Sequence, residues 1–274
     1  MTVNTPDKPA PLARDYAPPA DLLAGRLVLI TGAATGLGRG IAEAAAAASA
    51  TLVLVDKDLR ALEALHDRIE AAGHEQPILH PMNLEGAGPA DHLELASELD
   101  RQFGRLDALV HNAAMLGELS PMEQYDAELW ARTLHVNVNA PFLLNQALLP
   151  LLRRSDAGRI LFVADRTGRR GHAFWGAYGV SKFAQEGMME TLADELGELA
   201  ALRVMSIDPG PVNSALRRQA YPGEDCEALP QPDAVGPALL RPLGPDGARW
   251  QGARLSLEPR AGESNNQRDS GGVG

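Results

Sequence analysis

Short runs of aliphatic and β-branched residues alternate with helical stretches along most of this chain, and few sequence patterns restrict a fold more tightly. The runs are RLVLI (26–30), TLVLVD (51–56), ALVHN (108–112), RILFVA (159–164) and LRVMSID (202–208), with PILHP (77–81) and ARLSLEP (253–259) as weaker members. Between them lie IAEAAAAASA, LRALEALHDRIEAAG, DHLELASELDRQF, ELWARTLHVNVNAPFLLNQALLPLLRR and YGVSKFAQEGMMETLADELGEL, each long enough for a helix and mostly periodic at about 3.6 residues. Strand, helix, strand, helix with right-handed crossovers predicts an α/β protein: a doubly wound parallel sheet of the Rossmann type in three α/β/α layers. No internal repeat is present, and the Ala run at 44–48 follows from helix propensity alone.

A chain of 274 residues, 45% hydrophobic and 22% charged, can bury one large core, so a single domain is expected over residues 22–260. Residues 1–21 read as an extended arm, too rich in proline for a helix and too polar for a signal peptide, and residues 261–274 have the composition of a disordered tail. The formal charge of -11 and the pI near 5.1 leave no basic face for nucleic acid or an anionic membrane, so neither is an expected partner. No apolar run reaches the roughly 18 residues that a membrane-spanning helix needs. Cys226 is the only cysteine, which excludes an intrachain disulfide and a thiolate metal cluster; no metal is expected, and a cytoplasmic location is.

The first run leads directly into TGAATGLG (31–38) and then a helix. Gly32, Gly36 and Gly38 permit a tight turn and let a pyrophosphate lie against bare backbone at a helix N-terminus, with Thr35 and Leu37 beside it. Asp56 closes the second run eighteen residues past Gly38, where a carboxylate can accept both hydrogen bonds of an adenosine ribose diol. The same charge repels a 2'-phosphate, so NAD is expected over NADP, while Lys57 next to it keeps NADP open.

These motifs, with HNAA (111–114), the Asn137 of HVNVNA, YGVSK (178–182) and DPG (208–210), stand in the order and spacing of the short-chain dehydrogenases/reductases, which the chain resembles from about residue 22 to residue 258. SDAGRI, WGAYGVSKFAQEGMM and LLAGRL resemble the bacterial YciK-like oxidoreductase branch. The resemblance implies an NAD(P)(H)-dependent oxidoreductase moving hydride between nicotinamide and a small carbonyl or alcohol. It also implies that Tyr178 exchanges a proton with the substrate oxygen, that Lys182 stabilises its phenolate and holds the nicotinamide ribose, and that Asn137 holds a water connecting Lys182 to solvent. A free Tyr, ionising near pH 10, is a poor base at neutral pH, and an ammonium one helical turn away answers that.

Asn112, Ala113, Pro209, Gly210 and Val212 would line the cofactor site by the same resemblance. Asn83 stands where the family has an Asp that caps the adenine, and Ser214 where a Thr meets the carboxamide. His111 and Ala114 depart from the family's NNAG, and both read as structural. Substrate identity is not legible, because the segment expected to cover it (214–235) is the most divergent part of such folds; Phe174, Trp175 and Tyr221 could line a small pocket. The helix through Asn137 and the one starting at Tyr178 hold more apolar surface than one sheet face can cover, which predicts a homodimer or homotetramer.

Asp165 occupies the place of the Ser that normally binds the substrate oxygen beside Tyr. Ionised, it would oppose the phenolate; protonated, it could donate a hydrogen bond as Ser does; turned away, it would pair with Arg166, Arg169 or Arg170. Pteridine reductases, another branch of the superfamily, also carry Asp thirteen residues before the Tyr. The expected function is a reductase, with a catalytically weak nucleotide-binding protein of the same fold or a pteridine-type reductase as alternatives.

Overall fold

The computed structural model describes residues 10–197 and 201–258, so the expected tail lies outside the described residues. Its strands are β1 (Ala10–Leu12), β2 (Leu27–Thr31), β3 (Thr51–Asp56), β4 (Ile78–Pro81), β5 (Ala108–His111), β6 (Arg159–Val163), β7 (Arg203–Asp208) and β8 (Arg254–Leu257). They form one sheet in the order β1-β8-β7-β6-β5-β2-β3-β4. All neighbours run parallel.

Alternate residues of each strand enter opposite cores. Val28, Ile30, Leu52, Leu54 and Val110 face one layer, which contains Ile41, Ala45 and Leu62 from helices α1 (Gly36–Ala47) and α2 (Leu59–Ala71). Leu27, Leu29, Val53, Leu109 and Phe162 face the other, covered by α3 (Pro89–Phe103), α5 (Ala140–Leu152) and α6 (Gly176–Leu196), with α4 (Ala127–Leu134) leading into α5. Burial on both faces explains why the runs are apolar throughout rather than alternating. The short helices α7 (Ala215–Ala220) and α8 (Pro232–Val235) follow β7.

Two elements differ from the sequence reading. Residues 10–12 of the arm are not merely extended: they add an edge strand in register with β8, Ala10 opposite Leu255. Pro11 is tolerated there because an edge strand has one side that needs no donor. The continuous helix expected over 128–154 is interrupted by a π turn at His135–Asn139, with Asn137 in its middle. The apolar pattern runs on through this turn, so nothing in the periodicity marks it.

The sheet reverses its winding between β2 and β5. The carboxyl ends of β2, β3, β5, β6 and β7 therefore open onto one cleft, the position at which doubly wound sheets bind ligands.

Candidate active site

A cleft of about 600 Å³ crosses these strand ends. Its floor is built around Thr31, whose hydroxyl accepts from the amides of Asn112 and Ala113, both at 3.1 Å, and donates to the Val110 carbonyl. The Asn112 carboxamide donates to the carbonyls of Thr31 and Gly32, both at 3.0 Å, and thereby braces the glycine turn. Gly32 takes φ +62, in the left-handed region. A Cβ on Gly38 would stand 2.0 Å from the Gly32 carbonyl oxygen, so Gly38 lets α1 close against the loop and does not itself line the cleft.

Side chains cap the first turns of α2, α4 and α7 (Asp58, Asp126 and Ser214), but Thr35 makes no such bond at the start of α1. The first amides of α1 thus suit the phosphates of a dinucleotide. Thr35, Gly36 and Leu37 line the cleft at this point. Asp56, at the end of β3, accepts from the amides of Ala34 at 3.0 Å and Asp58 at 3.1 Å, which fixes both its oxygens at the cleft wall. Asn83 and Lys57 continue that wall, and Pro209, Gly210, Val212 and Ser214 form the opposite end. The residues present fit a nicotinamide dinucleotide laid across the strand ends.

Tyr178, in the first turn of α6, is 3% exposed, and its hydroxyl donates to Oδ2 of Asp165 at 3.3 Å. The other oxygen of Asp165 accepts from the Thr167 amide at 2.8 Å. Two of the three competing arginines are engaged elsewhere: Arg169 pairs with Glu186 at 3.2 Å, and Arg166 donates to the Tyr221 hydroxyl. Burial pushes the Tyr178 phenol well above its ordinary range, and the charge and hydrogen bond of Asp165, then Asp208 and Tyr221, push it the same way. Burial also pulls the Lys182 ammonium below its usual value, against the opposing pull of Asp165, Glu186 and Asp208. Trp175 packs 5.7 Å from both the Tyr178 and Tyr221 rings, while Phe174 is 55% exposed and turned out.

Asn137 lies beneath the cleft wall rather than on it. Its carboxamide accepts from the Met115 amide at 2.8 Å and donates to the Met115 carbonyl and to the Ser181 hydroxyl, both at 2.9 Å. Its main-chain oxygen receives Gln185 Nε2 at 2.7 Å and keeps a second lone pair. His111 is buried against Phe162 and bonded to Asn145 at 2.9 Å; burial lowers its pKa to about 4, which keeps it neutral and structural.

A family model for the short chain dehydrogenases matches residues 26–225. The chain belongs to the short-chain dehydrogenase family. It is a nicotinamide-dependent oxidoreductase. It is 39% identical over 244 residues to the oxidoreductase YciK of Escherichia coli (strain K12), covering 89% of this chain and 96% of that one. A short chain dehydrogenase from Pseudomonas syringae has 45% identity and a TM-score of 0.86 over 88% of this chain and 98% of its own. One from Shigella flexneri 2a str. 301, complexed with NADP, has 39% identity and a TM-score of 0.84 over 87% and 99%.

Some roles in this dehydrogenase site appear only in three dimensions. Asp208 faces Tyr178 as a second acid, its own pKa raised by burial, with the Gly210 amide pulling the other way. Arg14, from the arm, is buried and donates to the Pro209 carbonyl at 3.3 Å. The DPG motif pointed to this loop, but nothing near residue 14 pointed to its support. Among the described residues no helix is long and apolar enough to cross a membrane.

Proposed function

We propose that this dehydrogenase works as an NAD(H)-dependent reductase of a small carbonyl compound, with Tyr178 as proton donor, Lys182 as fixed cation and Asp165 as the group that orients the Tyr178 hydroxyl. The hydrogen bond from Tyr178 to Asp165 carries this reading. When bound, the nicotinamide would supply the hydride. The protein's part is to hold the carbonyl oxygen at Tyr178 and give it a proton. Reduction begins from the neutral phenol, which burial and the neighbouring acids favour; oxidation begins from the phenolate, which they oppose. Oxidation of an alcohol should therefore rise only toward alkaline pH.

Asp165→Ser tests this. It removes a negative charge and keeps a neutral partner, so the pH profile of alcohol oxidation should move to lower pH while reduction persists. Unchanged profiles in both directions would remove Asp165 from the chemistry.

The preference for NAD rests on Asp56, whose two oxygens are held at the wall where an adenosine ribose would lie. The NADP in the Shigella relative and the cation of Lys57 argue the other way, but the Asp56 carboxylate would repel a 2'-phosphate placed at this wall. Asp56→Ala should weaken NAD binding by about 1–3 kcal/mol in calorimetric titration, with NADP unaffected or tighter. Equal losses for both cofactors would contradict it.

We further propose that two copies pair through α5 and α6, on which Phe142, Val180 and Phe183 are 52%, 41% and 44% exposed. Light scattering should give at least a dimer at micromolar concentration; a monomer refutes the pairing. The lone Cys226 is compatible with the cytoplasm, where we place the enzyme.

A further inference from the structure

We propose that Gln185 is a positioning residue for this site: its carboxamide ties the Lys182 ammonium to the main chain of Asn137 and so fixes where the cation stands beside Tyr178. The proposal rests on the reading of Tyr178 and Lys182 as the working pair. Gln185 is 2% exposed, one helical turn beyond Lys182 on α6. Its Oε1 accepts from Lys182 Nζ at 3.0 Å, and its Nε2 donates to the Asn137 carbonyl at 2.7 Å. The ammonium also donates to the Val163 carbonyl at 2.9 Å and stands 5.6 Å from the centre of the Tyr178 ring. Two acceptors thus hold the cation from the side of the sheet and the π turn.

The arrangement has a chemical consequence. A carboxamide holds its N–H protons tightly and does not pass them along as water does. The bridge through Gln185 therefore positions the Lys182 ammonium without itself conducting protons, and leaves one of its three N–H groups for other partners. Asp165, Asp208 and Glu186 all act on the ammonium, from the ends of β6 and β7 and from α6, so the Gln185 contact must be separated from their charges.

Titration of lysine resonances in the cofactor-free protein does this. The chain's lysines are Lys8, Lys57 and Lys182, so isotopically labelled lysine gives a sparse spectrum that Lys182→Met assigns. Gln185→Met keeps the bulk and removes the acceptor without changing charge, and Lys182 should then titrate about one pH unit lower than in the wild type. In the wild-type protein the side-chain amide resonance of Gln185 should shift with the same midpoint as Lys182, a readout that depends on no variant folding. An unchanged Lys182 midpoint in folded Gln185→Met, or a Gln185 amide that ignores the Lys182 titration, overturns the proposal. Neither measurement involves turnover. If Tyr178 were not the proton donor, these titrations could still come out as expected while Tyr178→Phe kept its activity, so the two failures are distinguishable.

Discussion

Tyr178→Phe should lower carbonyl reduction by on the order of 10²–10⁴-fold while leaving NADH binding close to that of the wild type. The ring stays buried beside Trp175, and only the oxygen that reaches Asp165 is lost. The loss should appear in kcat, because the hydroxyl acts on the reacting oxygen and not on the dinucleotide. Steady-state NADH oxidation with a carbonyl panel, paired with fluorescence titration of NADH, measures both quantities. A variant that retains a tenth or more of the activity would move the proton-donor role elsewhere, and Asp165 would be the first candidate.

How much of this was readable beforehand depends on the range of each interaction. The strands were legible because burial on both faces makes them apolar throughout, and the glycine turn because its chemistry lies within one short motif. Asp165 was ambiguous for the opposite reason. Three arginines follow it within five residues, and the partner of one, Glu186, is seventeen residues away from Arg169 on another element. The bridge through Gln185 joins α6 to a π turn that leaves the hydrophobic pattern intact, so neither the turn nor its partner announces itself. Arg14 braces a loop 195 residues away, a contact that exists only in three dimensions.

Glu186→Ala should be the most destabilising of the substitutions considered. The carboxylate is 2% exposed and holds Arg169 at 3.2 Å, the Ser206 hydroxyl at 2.7 Å and Arg254 at 3.6 Å, linking α6 to β7, β8 and the turn after β6. Its removal leaves two partly buried guanidiniums and a buried hydroxyl without their shared acceptor. Breaking such a pair from one side costs about 3 kcal/mol or more, which for a chain of this size lowers Tm by roughly 6–12 °C. Glu186→Gln retains an acceptor for Ser206 and should lose less. Differential scanning calorimetry distinguishes them, and an Ala variant melting with the wild type would show that solvent already screens the cluster.

The pairing of β1 with β8 bears on how the protein is made. Ala10 leaves the ribosome 245 residues before its partner Leu255, so the sheet edge cannot close until everything between them has emerged. The half that carries the glycine turn and Asp56 is built from β2, β3 and β4 with β5 beside β2, all complete by residue 111, and can assemble early. The loop at Pro209, which Arg14 supports, belongs to the late half. The two ends of the cleft therefore mature at different times, and a nascent chain stalled before β8 would carry the end at Asp56 without the finished end at Pro209.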